Sequence, residues 1–367
     1  MEKKLGFGCM RLPLKENGDV DYDEFNKMID YYMEQGFTYF DTAHGYLNGK
    51  SEIAIKDCLS ARYPRESYIL TNKLTKPYFN KQEDIIPFFE NQLDWTGVDY
   101  FDYYLMHAQD RENYEHFQNC HAYETALELK KQGKIKHLGI SFHDTADVLE
   151  KILKDHPEIE IVQIQFNYVD FKSPSVQSEE IYNICRKYDK PVLIMEPVKG
   201  GGLVKLPEDA KKVFDELNNE KKLSYASYAI RFAASFDGVY KVLSGMSNLE
   251  QLKDNVSYMK EFIPFNQEEF KAVEKVRIIL NRLGGIPCTA CRYCTEGCPM
   301  QISIPDLFAC YNAKKQFGDW NSSFYYGIHT KSNGKASDCI KCGQCERICP
   351  QHLKITELLE KVAETFE

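Results

Sequence analysis

One cysteine motif occurs twice near the C-terminus, and it constrains the fold of this chain more strongly than any other sequence feature. Both copies have the spacing C-x₂-C-x₂-C-x₃-C-P: the first contains Cys288, Cys291, Cys294, Cys298 and Pro299, and the second contains Cys339, Cys342, Cys345, Cys349 and Pro350. The short spacings let three thiolates of each copy converge on one face of a cube, while the proline directs the fourth onward. The motif therefore predicts two [4Fe–4S] clusters.

Zinc binding is the main alternative for this segment. Nine of the 13 cysteines lie between Cys288 and Cys349, and disulfides are not expected in a reducing compartment. Zinc sites usually combine paired C-x₂-C knuckles, so the C-x₂-C-x₂-C triplets favour clusters. The ninth cysteine, Cys310, lies in a stretch with a helical pattern, Ile304–Phe317, and we predict that it is a packing residue.

The first three quarters of the chain alternate short apolar runs with longer helix-patterned stretches. Eight runs are strand candidates: residues 5–11, 37–41, 68–73, 101–106, 135–141, 160–165, 192–195 and 239–244. Eight strand–helix units in about 280 residues predict an α/β fold of the (β/α)₈ TIM-barrel type, because buried parallel strands are apolar throughout. A doubly wound open sheet is the alternative, but residues 6–11 lack the final glycine of G-x-G-x-x-G.

The pattern changes at a turn-rich hinge, residues 284–287. We therefore predict two domains, a barrel over residues 1–283 and a smaller, mainly helical domain over residues 284–367 that holds both clusters. The stretch between the two cysteine motifs, residues 300–338, is longer than in small bacterial ferredoxins and resembles the helical type of dicluster domain.

Composition excludes several classes of partner. The 367 residues carry a net charge of −9, which argues against binding to nucleic acid. No segment approaches the roughly 18 consecutive apolar residues of a membrane span. Residues 1–6 lack the apolar stretch of a secretory signal. These observations predict a cytoplasmic protein with no membrane and no nucleic-acid partner.

Polar side chains follow consecutive strands of the predicted barrel. Asp41 and Tyr46 follow the second strand, Lys73 ends the third and His107 follows the fourth. Barrel enzymes place their catalytic groups at these carboxyl ends. The structural alternative is an Asp–Lys ion pair that only closes the barrel, together with a histidine that is hydrogen-bonded to the scaffold. Four such residues on adjacent strands favour catalysis.

The barrel region resembles the aldo-keto reductases over residues 5–259. The resemblance is carried by Phe40-Asp41-Thr42-Ala43, Tyr46, Gly49-x-Ser51-Glu52, the Lys73 strand and Leu105-Met106-His107. It implies hydride transfer between NADH or NADPH and an aldehyde or ketone. Tyr46 would be the general acid, Lys73 would favour its phenolate, Asp41 would hold Lys73, and His107 would donate a hydrogen bond to the substrate oxygen.

The same resemblance implies a set of coenzyme contacts. The residues are Ser141, Gln163, Met195, Gly201, Ser244, Met246, Ser247, Gln251 and Asn255. Ser141 and Gln163 match positions that hold the nicotinamide carboxamide, and the glycine run 200–202 matches a loop that approaches the pyrophosphate. Phe142 and Met195 depart from the family pattern of Asn and Tyr. Gly245 and Gln251 stand where some members clamp the 2′-phosphate, so the choice between NAD and NADP stays open.

The cysteine segment resembles two-cluster ferredoxins, in which the fourth cysteine of each motif ligates the other cluster. This resemblance implies one cluster on Cys288, Cys291, Cys294 and Cys349, and a second on Cys339, Cys342, Cys345 and Cys298. The sequence thus predicts an iron–sulfur oxidoreductase of the aldo-keto reductase type. The alternative is an electron-transfer or redox-sensing protein whose barrel docks a partner, with a ferredoxin or a flavoprotein as the carrier.

Overall fold

The computed structural model describes residues 3–217, 223–282, 285–288 and 290–367. Eight parallel strands close into a barrel in chain order, with the first strand paired to the eighth. The strands are β1 Leu5–Gly8, β2 Tyr39–Asp41, β3 Ile69–Leu74, β4 Phe101–Gln109, β5 Ile135–Phe142, β6 Ile161–Gln165, β7 Val192–Met195 and β8 Val239–Ser244. The predicted (β/α)₈ barrel is confirmed.

Sixteen α-helices lie within the described residues. They are α1 Tyr22–Glu34, α2 Lys50–Ile55, α3 Gln82–Thr96, α4 Arg111–Asn119, α5 Ala122–Lys131, α6 Ala146–Asp155, α7 Ser178–Lys187, α8 Glu208–Leu217, α9 Tyr225–Ala234, α10 Leu249–Met259, α11 Gln267–Arg282, α12 Tyr293–Glu296, α13 Ile304–Phe317, α14 Asn321–Lys331, α15 Gln344–Arg347 and α16 Ile355–Phe366. None of these described helices is both long and apolar enough to cross a membrane.

The predicted first strand is too long at its C-terminal end. β1 stops at Gly8, and Cys9–Arg11 forms a short 3₁₀ helix. In this 3₁₀ helix the carbonyl oxygen of Cys9 accepts a hydrogen bond from the hydroxyl of Ser51 on α2, at 2.9 Å, and not from a neighbouring strand. The other seven strands lie within three residues of their predicted bounds.

Buried side chains fill the barrel interior. One buried cluster contains Tyr39, Leu105, Ile161, Leu193 and Leu243, which lie on β2, β4, β6, β7 and β8. An interior filled with side chains is usual for a TIM barrel. Gly139 on β5 completes the fit, since a Cβ there would lie 2.6 Å from side-chain atoms of both Ile161 and Leu105.

The chain forms two compact units. The first contains Met1–Phe166, Glu180–Pro197 and Ala226–Phe265, and the second contains Asn167–Glu179, Val198–Tyr225 and Asn266–Glu367. Two segments that follow β6 and β7 therefore belong to the same unit as the cysteine motifs. Leu283 and Gly284, where the predicted domain boundary falls, lie outside the described residues. That boundary stays a prediction.

The cysteine segment of the second unit is mainly helical, as expected. Its buried core includes Ile302, Ile304, Leu307, Phe308 and Leu359. Helix α13 begins with Pro305 in its first turn and ends at Gly318, which has a φ of 60°. A proline at the start and a left-handed glycine at the end are strong helix boundaries. The predicted helix over residues 304–317 is therefore correct at both ends.

Candidate active site and cysteine centres

A buried ion pair lies at the carboxyl ends of β2 and β3. The ammonium of Lys73 donates to Asp41 Oδ1 at 2.5 Å and to the carbonyl oxygen of Thr42 at 2.7 Å. Both charged side chains are almost completely buried. Burial is the largest single influence and would lower the pKa of Lys73, but the charges and hydrogen bonds of Asp41 and Tyr46 together outweigh it and raise that pKa above its ordinary value. Lys73 is therefore held as a cation.

Tyr46 lies directly above this pair. The Lys73 Nζ atom is 4.8 Å from the centroid of the Tyr46 ring. The three residues after Tyr46, which are Leu47, Asn48 and Gly49, have φ values of 51°, 54° and 84°. A left-handed leucine is sterically unfavourable, so the surrounding structure must impose this turn. The tight turn between β2 and α2 returns the tyrosine ring to the strand ends.

His107 completes the group. Its ring centroid is 6.1 Å from that of Tyr46, and the two planes are nearly perpendicular. Burial, together with the nearby charges of Lys73 and His143, holds the pKa of His107 well below its ordinary value, so the imidazole is neutral at pH 7. The Nδ1 atom lies 2.8 Å from the hydroxyl of Thr75. The structure thus brings together all four predicted catalytic residues.

Thr75 and Glu52 are two supporting residues to which the sequence analysis assigned no role. The fully buried carboxylate of Glu52 accepts from Asn72 at 2.8 Å and from Gln92 at 3.0 Å, and it pairs with His44 Nδ1 at 2.6 Å. It therefore links the segment before Tyr46 to the strand that carries Lys73. A carboxylate on the buried face of α2, three residues after a left-handed glycine, is the signal that could have identified it.

Ser141 and Gln163 lie at the same strand ends as the ion pair. The backbone N–H of Ala108 donates to the hydroxyl of Ser141 at 2.8 Å. The side-chain amide of Gln163 donates to Asp41 Oδ2 at 3.1 Å. Phe142 is buried, whereas Met195 is half-buried at the end of β7. Gln163 therefore orients Asp41, a contact that the resemblance did not include.

The segment after β8 forms a turn that leads into α10. Asn255 donates to the hydroxyl of Ser244 at 2.7 Å, and Met246 is buried beside them. The backbone N–H of Ser247 donates to Gln251 Oε1 at 2.8 Å. The N-cap of α10 is Asn248, whose side chain accepts a hydrogen bond from the backbone N–H of Gln251.

An acidic side chain occupies the N-terminus of α10. Glu24 Oε1 accepts from the backbone N–H of Leu249 at 2.9 Å. A helix N-terminus favours anions, so this carboxylate satisfies a position that could otherwise receive a phosphate.

Gly201 belongs to the second compact unit. Gly200 and Gly201 have φ values of 63° and 94°, and a Cβ at Gly201 would meet no atom within 4 Å. The N–H groups of Gly201 and Gly202 donate within the turn, to Val198 O and Lys199 O at 3.0 Å each. A ligand could therefore approach the backbone of this loop closely. The N–H groups of Gly201 and Gly202, however, already donate hydrogen bonds within the turn.

The eight motif cysteines gather into two sets, each around a small cavity. One cavity is lined by Cys288, Cys291, Cys294 and Cys349. The other is lined by Cys298, Cys339, Cys342 and Cys345. Each set combines three cysteines of one motif with the last cysteine of the other. The side chain of Ile304 lines both cavities. Cys310 is buried and lies in the same core.

These thiols need a positive partner to ionise. Burial, and then the neighbouring cysteines, raise the pKa of Cys294 to about 12 and that of Cys345 to about 11. Four thiolates at such a site would repel one another, so they require bound metal to remain deprotonated. The donor set of four sulfur atoms around one cavity suits an iron–sulfur cluster.

Two family models match the chain, and together they cover most of it. The aldo/keto reductase family matches residues 4–278, and a 4Fe-4S dicluster domain matches residues 287–353. The uncharacterized oxidoreductase YqkF of Bacillus subtilis is 25% identical over 299 residues, which are 74% of this chain and 91% of that protein. The NADH-specific methylglyoxal reductase of Escherichia coli is 26% identical over 66% of this chain and 84% of its own length.

Solved structures show the same fold. The holo form of aldo-keto reductase AKR11C1 from Bacillus halodurans superposes with a TM-score of 0.59 and 24% identity, covering 74% of this chain and 91% of that one. An aldo-keto reductase from Klebsiella pneumoniae in complex with NADPH gives 0.59 and 18% identity, with 76% and 96% covered. The chain is an oxidoreductase that belongs to the aldo/keto reductase family and carries a 4Fe-4S dicluster domain at its C-terminal end.

Proposed function

We propose that this protein transfers hydride between NADH or NADPH and an aldehyde or ketone, with Tyr46 as the general acid. The observation that supports this most directly is the buried pair of Lys73 and Asp41 beneath the ring of Tyr46, with a neutral His107 beside it. A pair that served only to close the barrel would not require a tyrosine and a histidine to converge above it.

The proton comes from Tyr46. Burial raises the pKa of Tyr46, so its hydroxyl keeps its proton at neutral pH until a stronger base forms beside it. The cation of Lys73 acts in the opposite direction and stabilises the phenolate as the proton leaves. A nicotinamide coenzyme, when bound, would supply the hydride that the carbonyl carbon takes up, and Tyr46 would protonate the carbonyl oxygen. Asp41 keeps Lys73 charged and in place throughout.

His107 orients the substrate. When the hydroxyl of Thr75 donates to Nδ1 at 2.8 Å, the proton of the neutral imidazole is on Nε2. That N–H can then donate to the carbonyl oxygen together with the hydroxyl of Tyr46. Two donors on one oxygen stabilise the negative charge that develops there.

We assign the coenzyme to the residues that the family resemblance identified. Ser141, Gln163 and Met195 would contact the nicotinamide, and Gly201 would contact the pyrophosphate. The adenosine end would lie on Ser244, Met246, Ser247, Gln251 and Asn255. The open space beside Gly201 supports this assignment.

We further propose that the two cysteine sets bind two [4Fe–4S] clusters with crossed ligands. Cys349 would join Cys288, Cys291 and Cys294, and Cys298 would join Cys339, Cys342 and Cys345. The support is that each set lines its own cavity.

Single-electron exchange with a ferredoxin or a flavoprotein is a second candidate function. Cys291 and Cys342 are exposed, and Tyr293 and Ile340 beside them are each 61% exposed. Exposed large apolar side chains next to a redox centre suit the small, transient interfaces of electron carriers.

The cytoplasmic location of the protein stays a prediction.

Anaerobic turnover tests the two functions against each other. We would measure oxidation of NADH and of NADPH with a panel of aldehydes and ketones that includes methylglyoxal, with and without a one-electron dye. Replacing Tyr46 by Phe should lower carbonyl reduction by about 10²–10⁴-fold and leave coenzyme binding nearly intact. Tyr63→Phe is the control, because its hydroxyl contacts Asp30, away from the strand ends. Turnover that is equal in both variants would favour electron transfer.

A further inference from the structure

Lys199 is held by acidic residues from two other segments of the second unit. Its Nζ atom lies 2.7 Å from Asp170 Oδ1 and 2.7 Å from Asp319 Oδ2. Asp170 follows β6, Lys199 follows β7, and Asp319 lies between α13 and α14. All three side chains are more than nine-tenths buried. The iron–sulfur segment and two loops of the barrel region therefore share one buried charge cluster.

The two carboxylates determine the state and position of Lys199. Burial alone would lower the pKa of Lys199, but the two acids raise it well above its ordinary value, so the side chain stays charged. An ammonium between two buried carboxylates has few alternative positions, because moving it would leave an acid unpaired away from water. The ion cluster thus fixes where the backbone of Lys199 lies.

Lys199 directly precedes the glycine loop. Its own φ is 49°, a left-handed value that costs energy for a residue with a side chain. Phe317, the last residue of α13, packs against the same loop: a Cβ at Gly202 would lie 3.3 Å from the Cβ atom of Phe317. The chain at the C-terminal end of α13 therefore makes two contacts here, from Phe317 to the loop and from Asp319, two residues later, to Lys199.

The other end of α13 is connected to the first cysteine cavity. Asp306 in its first turn accepts two hydrogen bonds from Arg292, at 2.7 and 3.0 Å. Pro305 and Phe308 line the cavity that contains Cys288. Helix α13 thus extends from a cysteine centre to the glycine loop.

The next helix, α14, contacts the loop after β6, because His329 Nε2 lies 2.9 Å from the carbonyl oxygen of Ser175.

We propose that Asp319 and Asp170 are positioning residues for the coenzyme, which hold Lys199 and with it the loop of Gly200, Gly201 and Gly202 in the form that receives the pyrophosphate. The iron–sulfur segment then contributes to coenzyme affinity through Asp319 without touching the coenzyme. This inference rests on the proposed function, since it takes the glycine loop as the pyrophosphate site.

The test measures coenzyme binding and kinetics of the full chain, purified without oxygen. Asp319→Asn removes one charge at nearly constant volume and leaves Lys199 paired with Asp170. The Kd and KM for the coenzyme should rise about 10-fold, the usual effect of losing one charge-assisted hydrogen bond. The kcat at saturating coenzyme and the KM for the carbonyl substrate should not change. Asp319→Glu, which restores the charge, should recover part of the affinity.

A double variant shows whether Asp319 acts through Lys199. In Lys199→Met protein, the further change Asp319→Asn should have no effect on coenzyme Kd. Asp209→Asn is the control for loss of charge, since Asp209 pairs with Lys212 on the exposed face of α8 in the same unit. Iron content and thermal unfolding are followed for every variant, so that a loss of clusters is recognised. Phe317→Leu leaves the ion cluster intact, and it should raise the Kd for the coenzyme by a smaller factor than Asp319→Asn does.

The outcomes separate this inference from the function on which it rests. If the wild-type protein reduces carbonyls and Asp319→Asn binds coenzyme with unchanged Kd, the positioning role is wrong and the function stands. If Asp319→Asn lowers kcat at saturating coenzyme as much as it raises KM, the role is general stability and the inference is overturned. If the wild-type protein binds neither coenzyme, both are wrong.

Discussion

Replacing cysteines in pairs tests how the two motifs share their ligands. Cys298 and Cys339 belong to different motifs but line the same cavity. Cys288 belongs to the same motif as Cys298 but lines the other cavity. With crossed ligation, the pair Cys298→Ala and Cys339→Ala damages one cluster, whereas the pair Cys298→Ala and Cys288→Ala damages both. Uncrossed ligation predicts the reverse.

The expected iron contents follow from these two cavities. Each [4Fe–4S] cluster holds four irons, so wild-type protein purified without oxygen should contain about eight irons per chain and absorb broadly near 400 nm. The variant with Cys298 and Cys339 replaced should keep about four irons. The variant with Cys298 and Cys288 replaced should keep almost none. Iron is measured by colorimetric assay or mass spectrometry against protein concentration.

The matched control is Cys310→Ala. Cys310 is buried in the same core but lines neither cavity, so this variant loses a thiol and packing volume without losing a ligand. It should keep about eight irons. The reasoning is refuted if the pair Cys298 and Cys339 loses all iron while the pair Cys298 and Cys288 keeps half. Stoichiometric zinc without absorbance near 400 nm would show that the metal itself is misassigned.

Two further predictions concern the barrel. The folded state keeps His107 neutral, whereas the unfolded state binds a proton at this residue below about pH 6.5. The free energy of unfolding therefore keeps its full value above that pH and decreases as the pH falls below it. Relative to His107→Gln, wild-type unfolding free energy should drop by up to about 1.4 kcal/mol per pH unit between pH 6 and 5, and parallel denaturation curves would contradict this. Glu24→Gln, which removes the carboxylate at the N-terminus of α10, should improve the Kd for NADPH by about 3–10-fold more than that for NADH. Equal changes for both coenzymes would show that Glu24 lies outside the 2′-phosphate site.

Periodicity and strand order were sufficient to predict the barrel. A run such as residues 192–195 is apolar on both faces, and its short length between helix-patterned stretches favours a buried parallel strand. Once the order of the strands was set, Asp41, Lys73 and His107 had to lie at one end of the barrel, because parallel strands share their carboxyl ends.

Contacts between distant segments could not be predicted in the same way. Nothing near Lys199 in the sequence shows that its partners are Asp170 and Asp319. Asp170 begins a short 3₁₀ helix and Asp319 lies between two helices, and neither position has a periodic pattern. The contact of Thr75 with His107 depends on the turn that follows β3. Such pairs are set by how loops fold back in three dimensions, and a single sequence does not encode this in any short motif.

The second unit is built from three separate stretches of the chain, and this has a consequence for folding during synthesis. Ser175 and His329 are in contact although 154 residues separate them along the chain. At about 5–20 residues per second, the ribosome needs roughly 8–30 s to add that length. During this interval the segments after β6 and β7 have emerged without their partners. Contacts of such long range also slow folding, because loop closure must precede them. The cysteine segment, which is made later, therefore determines when these earlier segments reach their final conformation.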